Sequence, residues 1–256
     1  MQARIINIPG AINLRDFGGY ETTKGRHVRT GRLFRSGTLT HLTPDGQAAF
    51  ARLDVRLICD LRRADEKQDE PTPMPHGTPD RLEIPIDPGS AGVLDASMKD
   101  DSLTATQRID LMVQINRELA REHTDDYARM FVGLLALEDG GFLVHCAAGK
   151  DRTGFACALI LHTLGVSEQT VLNDYLLTNL SLDYEHYMLP KLKARFGDTI
   201  ALDRESIMAL AGVRPEYLRA AWSAIEVDFE SVEHYIEDAI GLDAAARARL
   251  SQRYLV

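Results

Sequence analysis

The stretch His145-Cys146-Ala147-Ala148-Gly149-Lys150-Asp151-Arg152-Thr153-Gly154 puts a nucleophile, a permanent cation and a glycine into one short segment. Cys146 precedes Arg152 by six positions, with Gly149 between them and Thr153 just after. Residue types in this order can bind a phosphate dianion and attack it. A loop curling into a helix N-terminus turns successive backbone N–H groups toward one point, and the positive end of the helix dipole reinforces them. The amides of Ala147, Ala148, Gly149, Lys150, Asp151 and Arg152 are the candidate donors. Gly149 permits a positive φ that a side chain would oppose. Arg152 can grip two phosphoryl oxygens through its planar fork, which lysine cannot do. The same positive surroundings favour a thiolate at Cys146. A thiolate beneath a bound phosphate is placed for in-line attack, giving a phosphocysteine that water then hydrolyses. Thr153 can donate its hydroxyl to the sulfur and ease its departure. His145 reads as an organiser of the loop backbone, since a thiolate needs no base.

This chemistry needs a strand to deliver the cysteine and a helix to begin near the arginine. The apolar run Gly141-Phe142-Leu143-Val144 supplies the strand, and the apolar helical pattern from Phe155 to Leu164 supplies the helix. Upstream, Phe17 to Thr30 with its Lys24-Gly25 turn reads as a hairpin leading to a short strand at Leu33-Phe34-Arg35. Thr43-Pro44-Asp45, a cap followed by proline, predicts a helix to about Leu53. Val55 to Asp60 and Leu82 to Ile86 predict strands, with a proline-rich loop over 69–80 between them. The segment 90–101 is polar and loop-like. Ile109, Met112, Val113, Asn116 and Leu119 share one face of a predicted helix over 105–121, widened by Leu111 and Ile115. A second helix, Tyr127 to Leu137, presents Met130, Phe131, Leu134 and Leu135 to a core. Ser167 caps a further helix, and Pro215 and Ser231 mark later starts in a helical cluster reaching Leu255. Strands alternating with helices predict an α/β fold with a mostly parallel central sheet flanked by helices. The nucleophile then sits at a strand's C-terminal end, where open α/β sheets place ligands.

The loop from His145 to Thr153 resembles the signature of the cysteine-dependent protein tyrosine phosphatases. Its Gly149-Lys150-Asp151-Arg152-Thr153 form is similar to the bacterial atypical branch, whose members are tyrosine, dual- or triple-specificity and phosphoinositide phosphatases. Asn13-Leu14-Arg15-Asp16-Phe17-Gly18-Gly19-Tyr20 resembles that branch's N-terminal motif. Leu33-Phe34-Arg35-Ser36-Gly37, Cys59-Asp60-Leu61-Arg62 and Asp174-Tyr175-Leu176 match further segments in the family's order. The likeness is firm to about Asn179 and looser beyond. It implies a phosphomonoester phosphatase acting on phosphotyrosine, extending to phosphoserine and phosphothreonine, with no cofactor. It also implies one phosphatase domain over 1–256, a helical lid inserted at 90–125 and a helical C-terminal part over 180–256. Two departures stand out: there is no Trp-Pro-Asp loop, and a Lys-Asp pair replaces the smaller residues often found inside the catalytic loop.

Without that loop, the general acid must come from elsewhere. Protonating the leaving oxygen is worth about 10²–10⁴-fold in rate. Asp151, first in preference, resembles the residue given this role in the Lys-Asp branch. Asp60 comes second; it ends a strand expected beside the catalytic one, where an ion pair with Arg62, Arg15 or Arg152 is the competing reading. Asp87 follows another strand, in a Pro-Gly loop. Lys150 can hold a second phosphate, as on an inositol ring, or stabilise the thiolate. Arg15, Asp16 and Arg35 match family segments, yet turn-stabilising pairs explain them equally well. Cys59 and Cys157 read as core thiols, and a protective disulfide between Cys59 and Cys146 would require their strands to be neighbours. Two readings outside phosphate hydrolysis are sulfur transfer, against which His145 and Arg152-Thr153 weigh, and a non-catalytic phospho-binding module, against which the intact Cys146 and Arg152 weigh.

Composition agrees with a single enzyme-sized domain of 256 residues, 45% of them apolar. A net charge of −9 gives nucleic-acid binding no overall electrostatic support and disfavours anionic membrane, so positive charge must be concentrated locally. The expected partner is a phosphorylated protein or a phosphoinositide. Three cysteines without a Cys-x-x-Cys, and eight scattered histidines, predict neither a disulfide framework nor a metal site. Met1 to Pro9 lacks the pattern of a secretory signal, and no apolar run is long enough to span a bilayer. A reducing, cytoplasmic setting suits a catalytic thiolate, with export by a signal-independent route left open.

Overall fold

The computed structural model describes residues 4–73, 79–89, 91–98, 100, 102–183, 187, 190, 193 and 203–256. Parts of the expected proline-rich loop (74–78), lid (90, 99, 101) and C-terminal region (184–186, 188–189, 191–192, 194–202) lie outside the described residues.

Five strands form one sheet: β1 (Arg15–Asp16), β2 (Leu33–Ser36), β3 (Val55–Asp60), β4 (Asp80–Glu83) and β5 (Gly141–His145), in the order β1-β2-β5-β3-β4. β2, β5, β3 and β4 run parallel, and β1 closes one edge antiparallel. β5 is buried along its whole length because it lies mid-sheet and is covered on both faces. A continuous apolar run rather than an alternating one is what such a strand requires. Side-chain parity divides the core in two. Leu33, Cys59, Phe142 and Val144 face one cluster, and Phe34, Ile58 and Leu143 face the other.

The smaller cluster is covered by α1 (Pro44–Ala51), whose first turn is fixed by Thr43 Oγ1 accepting the Gly46 N–H at 3.0 Å. The larger one is covered by α4 (Ala105–Glu122), α5 (Thr124–Ala136), α6 (Asp151–Thr163), α7 (Glu168–Leu176) and α10 (Pro215–Phe229). Between these helices lie α8 (Thr178–Ser181) and α9 (Arg204–Ala211). The chain ends with α11 (Val232–His234), a π turn (Tyr235–Ala239) and α12 (Ala244–Tyr254). The last residue, Val256, exchanges backbone hydrogen bonds of 2.8 and 2.9 Å with His27 of the N-terminal hairpin.

Two expectations require correction. β4 covers Asp80–Glu83 rather than 82–86, because its partner β3 ends at Asp60, the register partner of Glu83. The chain still tracks β3 beyond it, with Ile84 N–H on Asp60 O at 2.9 Å and Ile86 N–H on Leu61 O at 3.2 Å. A short helix, α2 (Ala64–Asp69), precedes the proline-rich loop, and α3 (Ala91–Met98) lies in the segment read as loop. In the segment expected as a lid, α4 buries Met112, Ile115, Asn116, Leu119 and Ala120 and packs on α9 and α10.

Candidate active site

Cys146 follows the last residue of β5, and Asp151 opens α6, so the sequence from His145 to Gly154 folds as strand, loop and helix. Gly149 is at φ +68°, and a Cβ there would lie 2.3 Å from the carbonyl oxygen of Ser36, so both its conformation and its packing exclude a side chain.

The loop's carbonyls are held from outside. Ala147 O accepts from Thr38 N–H at 2.7 Å and the Tyr187 hydroxyl at 3.3 Å. Ala148 O accepts from Asn13 Nδ2 at 3.1 Å, and Gly149 O from Asn13 Nδ2 at 2.8 Å and Arg35 at 3.1 Å. Among the described residues, no N–H from Ala147 to Arg152 finds a protein acceptor. Six consecutive unpaired donors at a helix start have the arrangement of an anion nest.

Arg152 is aimed by a residue that sequence reasoning missed. Glu66, on α2, takes both ends of its fork, each at 2.7 Å, and the carbonyls of Leu61 and Ile86 accept at 3.2 Å. Its Nε–H has no acceptor among the described residues and remains for a phosphoryl oxygen. Burial opposes the charge on Arg152, but the Cys146 sulfur and Glu66 outweigh it and push the guanidinium pKa up. Burial likewise opposes ionisation of Glu66, and the hydrogen bonds from Arg152 hold its carboxyl below the usual range all the same. No local pattern marks Glu66; the only available signal was its place as N3 of α2, where its carboxylate accepts the Arg63 N–H at 2.9 Å.

Behind the loop lies a second missed arrangement. Asp174, from α7, pairs with Arg35 at 2.8 Å and lies 3.8 Å from Arg15, and the Tyr20 hydroxyl donates to it at 3.1 Å. All three charged groups are fully buried, and burial with Arg35 close by pulls the Arg15 pKa down to about 10. Two cations thus share one carboxylate directly behind the phosphate-binding backbone.

The remaining expected residues are distributed around this frame. Asp60 is gripped by Arg62 at 2.7 Å and sits 3.5 Å from His145 Nε2. Burial opposes its ionisation, yet His145 and Arg62 keep its carboxyl below the usual range. Of the ion pairs considered for Asp60, the one with Arg62 is formed. Burial pushes His145 below its ordinary value, and its Nδ1 lies 3.2 Å from Cys146 O. The Thr153 hydroxyl is buried and makes no hydrogen bond among the described residues, the Cys146 sulfur included. Lys150 turns its ammonium to the carbonyl of Leu210 on α9 and lies 3.4 Å from Asp151, while its backbone N–H stays in the nest. Asp151 is 19% exposed, with Oδ1 buried and lacking a hydrogen-bond partner among the described residues. Asp87, 65% exposed, adjoins Ile86 at the rim and lies 3.6 Å from Arg63. Cys59 and Val144 are register partners on the paired strands β3 and β5, and all three cysteines are free. Burial pushes the Cys157 thiol up to about 12, so it is a core thiol.

The family model for the tyrosine phosphatase family matches residues 6–256. A candidate tyrosine-protein phosphatase of Cupriavidus necator is 32% identical over 246 residues, covering 91% of this chain and 83% of that protein. The triple specificity protein phosphatase PtpB of Mycobacterium tuberculosis is 30% identical over 282 residues, covering 95% of this chain and 96% of that protein. The crystal structure of P. aeruginosa TpbA superimposes with a TM-score of 0.32 at 14% identity, covering 77% of this chain and 90% of that one. The family match over residues 6–256, with relatives about 30% identical along nearly the whole chain, shows that this chain belongs to the tyrosine phosphatase family.

Proposed function

We propose that this protein hydrolyses phosphotyrosine in protein substrates through a phosphocysteine at Cys146, with Asp151 as general acid. The observation that carries the reading is the set of six unpaired backbone donors beside Arg152, directly after the cysteine. The dianion binds to those donors and to Arg152. The Cys146 sulfur forms a bond to phosphorus as the bond to the leaving oxygen breaks, and that oxygen takes a proton from Asp151. Water then attacks phosphorus, releasing inorganic phosphate and restoring the thiolate. Asp151 is preferred because its buried Oδ1 has no hydrogen-bond partner among the described residues, so a proton there is not committed to structure.

Two observations favour a singly phosphorylated side chain over a phosphoinositide ring. The Lys150 ammonium is engaged on α9 and not directed to a second phosphate. A cavity of about 580 Å³ beside Asn13 and Tyr187 is lined by Ala11, Ile12, His41, Glu70 and Asp183 among others, and includes no lysine or arginine among the described residues. No helix among the described residues is long and apolar enough to cross a membrane. A reducing, cytoplasmic compartment is the setting that suits the free Cys146.

The test is phosphate release from a phosphotyrosine peptide, a phosphoserine peptide and a phosphoinositide panel, using wild type and Cys146→Ser. The peptide ranking first, with no turnover by Cys146→Ser, is the expected result; phosphoinositides ranking first would reverse the substrate reading. Asp151→Asn should cost about 10²-fold on phenyl phosphate and much less on p-nitrophenyl phosphate, whose leaving group needs little protonation. Near-full turnover of both by that variant would move the acid's role to Asp87.

A further inference from the structure

Asn13 stands outside the chemistry just described, yet three independent features single it out. It is a non-glycine residue at φ +53°, a left-handed conformation that disfavours side chains. It is only 3% exposed. Its amide nitrogen is spent on the catalytic loop, 135 and 136 positions away in sequence, donating to Ala148 O and Gly149 O. Its Oδ1 accepts from Arg15 and from the Ser181 hydroxyl, and because both partners act there as donors, the NH₂ group must face the loop.

Peptide geometry converts this contact into a consequence for phosphate binding. A trans peptide is planar, so the carbonyl of one residue and the N–H of the next point in opposite directions. Drawing Ala148 O and Gly149 O outward therefore turns the N–H groups of Gly149 and Lys150 inward, toward the place where the phosphoryl oxygens bind. We infer that Asn13 is a positioning residue of the phosphatase reaction, holding two of the loop's N–H donors in their phosphate-binding orientation. Arg35 shares the hold on Gly149 O, whereas Ala148 O has no other side-chain partner among the described residues. The left-handed backbone at Asn13 is then explained by function: glycine would relieve the strain but would leave Ala148 O unheld.

The inference rests on the phosphatase reading, and its test separates the two. Asn13→Asp keeps the shape, tolerates the left-handed backbone and still accepts from Arg15, but offers the loop no N–H. Asn13→Gly removes the side chain and the backbone strain together. For each variant and wild type we would measure kcat and KM for p-nitrophenyl phosphate, the inhibition constant of inorganic phosphate, and the melting temperature. Per folded molecule, both variants should lose about 10²-fold in kcat/KM and bind inorganic phosphate about 10-fold more weakly, the scale of losing aligned oxyanion donors, whatever the change in melting temperature. A lowered melting temperature with phosphate inhibition and kcat/KM per folded molecule unchanged would overturn the inference. Should Asn13→Asp fail to fold, the glycine variant decides by the same criteria. An inactive wild type would defeat the phosphatase reading itself.

Discussion

The two sides of the catalytic loop are held by different means. Behind it, Asn13, Arg15, Arg35 and Asp174 are shut away from water, and their partners are largely one another and the loop's own carbonyls. In front, Arg152 is aimed by Glu66, 16% exposed on a one-and-a-half-turn helix, and the neighbouring Arg63–Asp87 contact lies at the open rim. The back sets where backbone dipoles point, and that must be complete before a substrate arrives if the donors are to act without reorganising. The front sets where a flexible cation points, and it must also admit the substrate. Buried charge has accordingly been spent on the part that must not move.

Removing the shared anion is the harshest way to break this difference. Asp174→Asn would leave Arg15 and Arg35 buried without a carboxylate, and a loss of about 3–5 kcal/mol is expected in urea denaturation. A loss below about 1 kcal/mol would show that the back is no more rigidly built than the front. Glu66→Gln should do the reverse. It should cost about 10–100-fold in kcat/KM, the worth of a charged hydrogen bond to the cation, while changing stability by about 1 kcal/mol or less. Equal damage to stability and rate would erase the contrast.

Acid should reach both sides in sequence. The pKa of His145 is lowered in the fold, so the unfolded chain takes up its proton first as pH falls below about 6.5, and stability declines by up to about 1.4 kcal/mol per pH unit from this residue. Glu66 and Asp60, also held low, contribute stability that is present above the ordinary carboxylate range and lost as pH falls through their folded values. Urea titrations of wild type and His145→Asn at pH 7, 6 and 5 should differ in slope; parallel curves would exclude His145. The mildest effect expected is in hydrogen exchange. Amides of α4 should exchange as slowly as those of β5, and those of α3 faster, which would confine any moving lid to the 90–104 segment. Uniformly fast exchange across α3 and α4 would support the whole 90–125 insert as a lid.

Much of this frame was legible in the chain. Gly141 to Val144 reads as a central strand because a two-sided burial leaves no polar position, and Thr43 and Ser167 announce their helices by cap chemistry that acts within three residues. Asp60 could be placed beside the catalytic strand but not paired, since the same residue type serves as acid or as ion partner until Arg62 and His145 are located around it. Glu66 was hidden because Ala64–Asp69 has no apolar face to give it a period, and its partner lies 86 residues away. The direction of the Lys150 side chain was equally out of reach, being set by a carbonyl on α9 sixty residues downstream. Contacts made within a turn leave a pattern in sequence; contacts made across the fold by single polar side chains do not.

The central claim is that Cys146 carries the phosphoryl group. Rapid acid quench of wild type with a phosphotyrosine peptide, followed by digestion and mass spectrometry, should find a phosphoryl increment on the peptide containing Cys146, absent from Cys146→Ser and enriched in any variant that slows the hydrolysis step. Turnover without a phosphorylated Cys146 at any quench time, or with the label on another residue, would contradict the account.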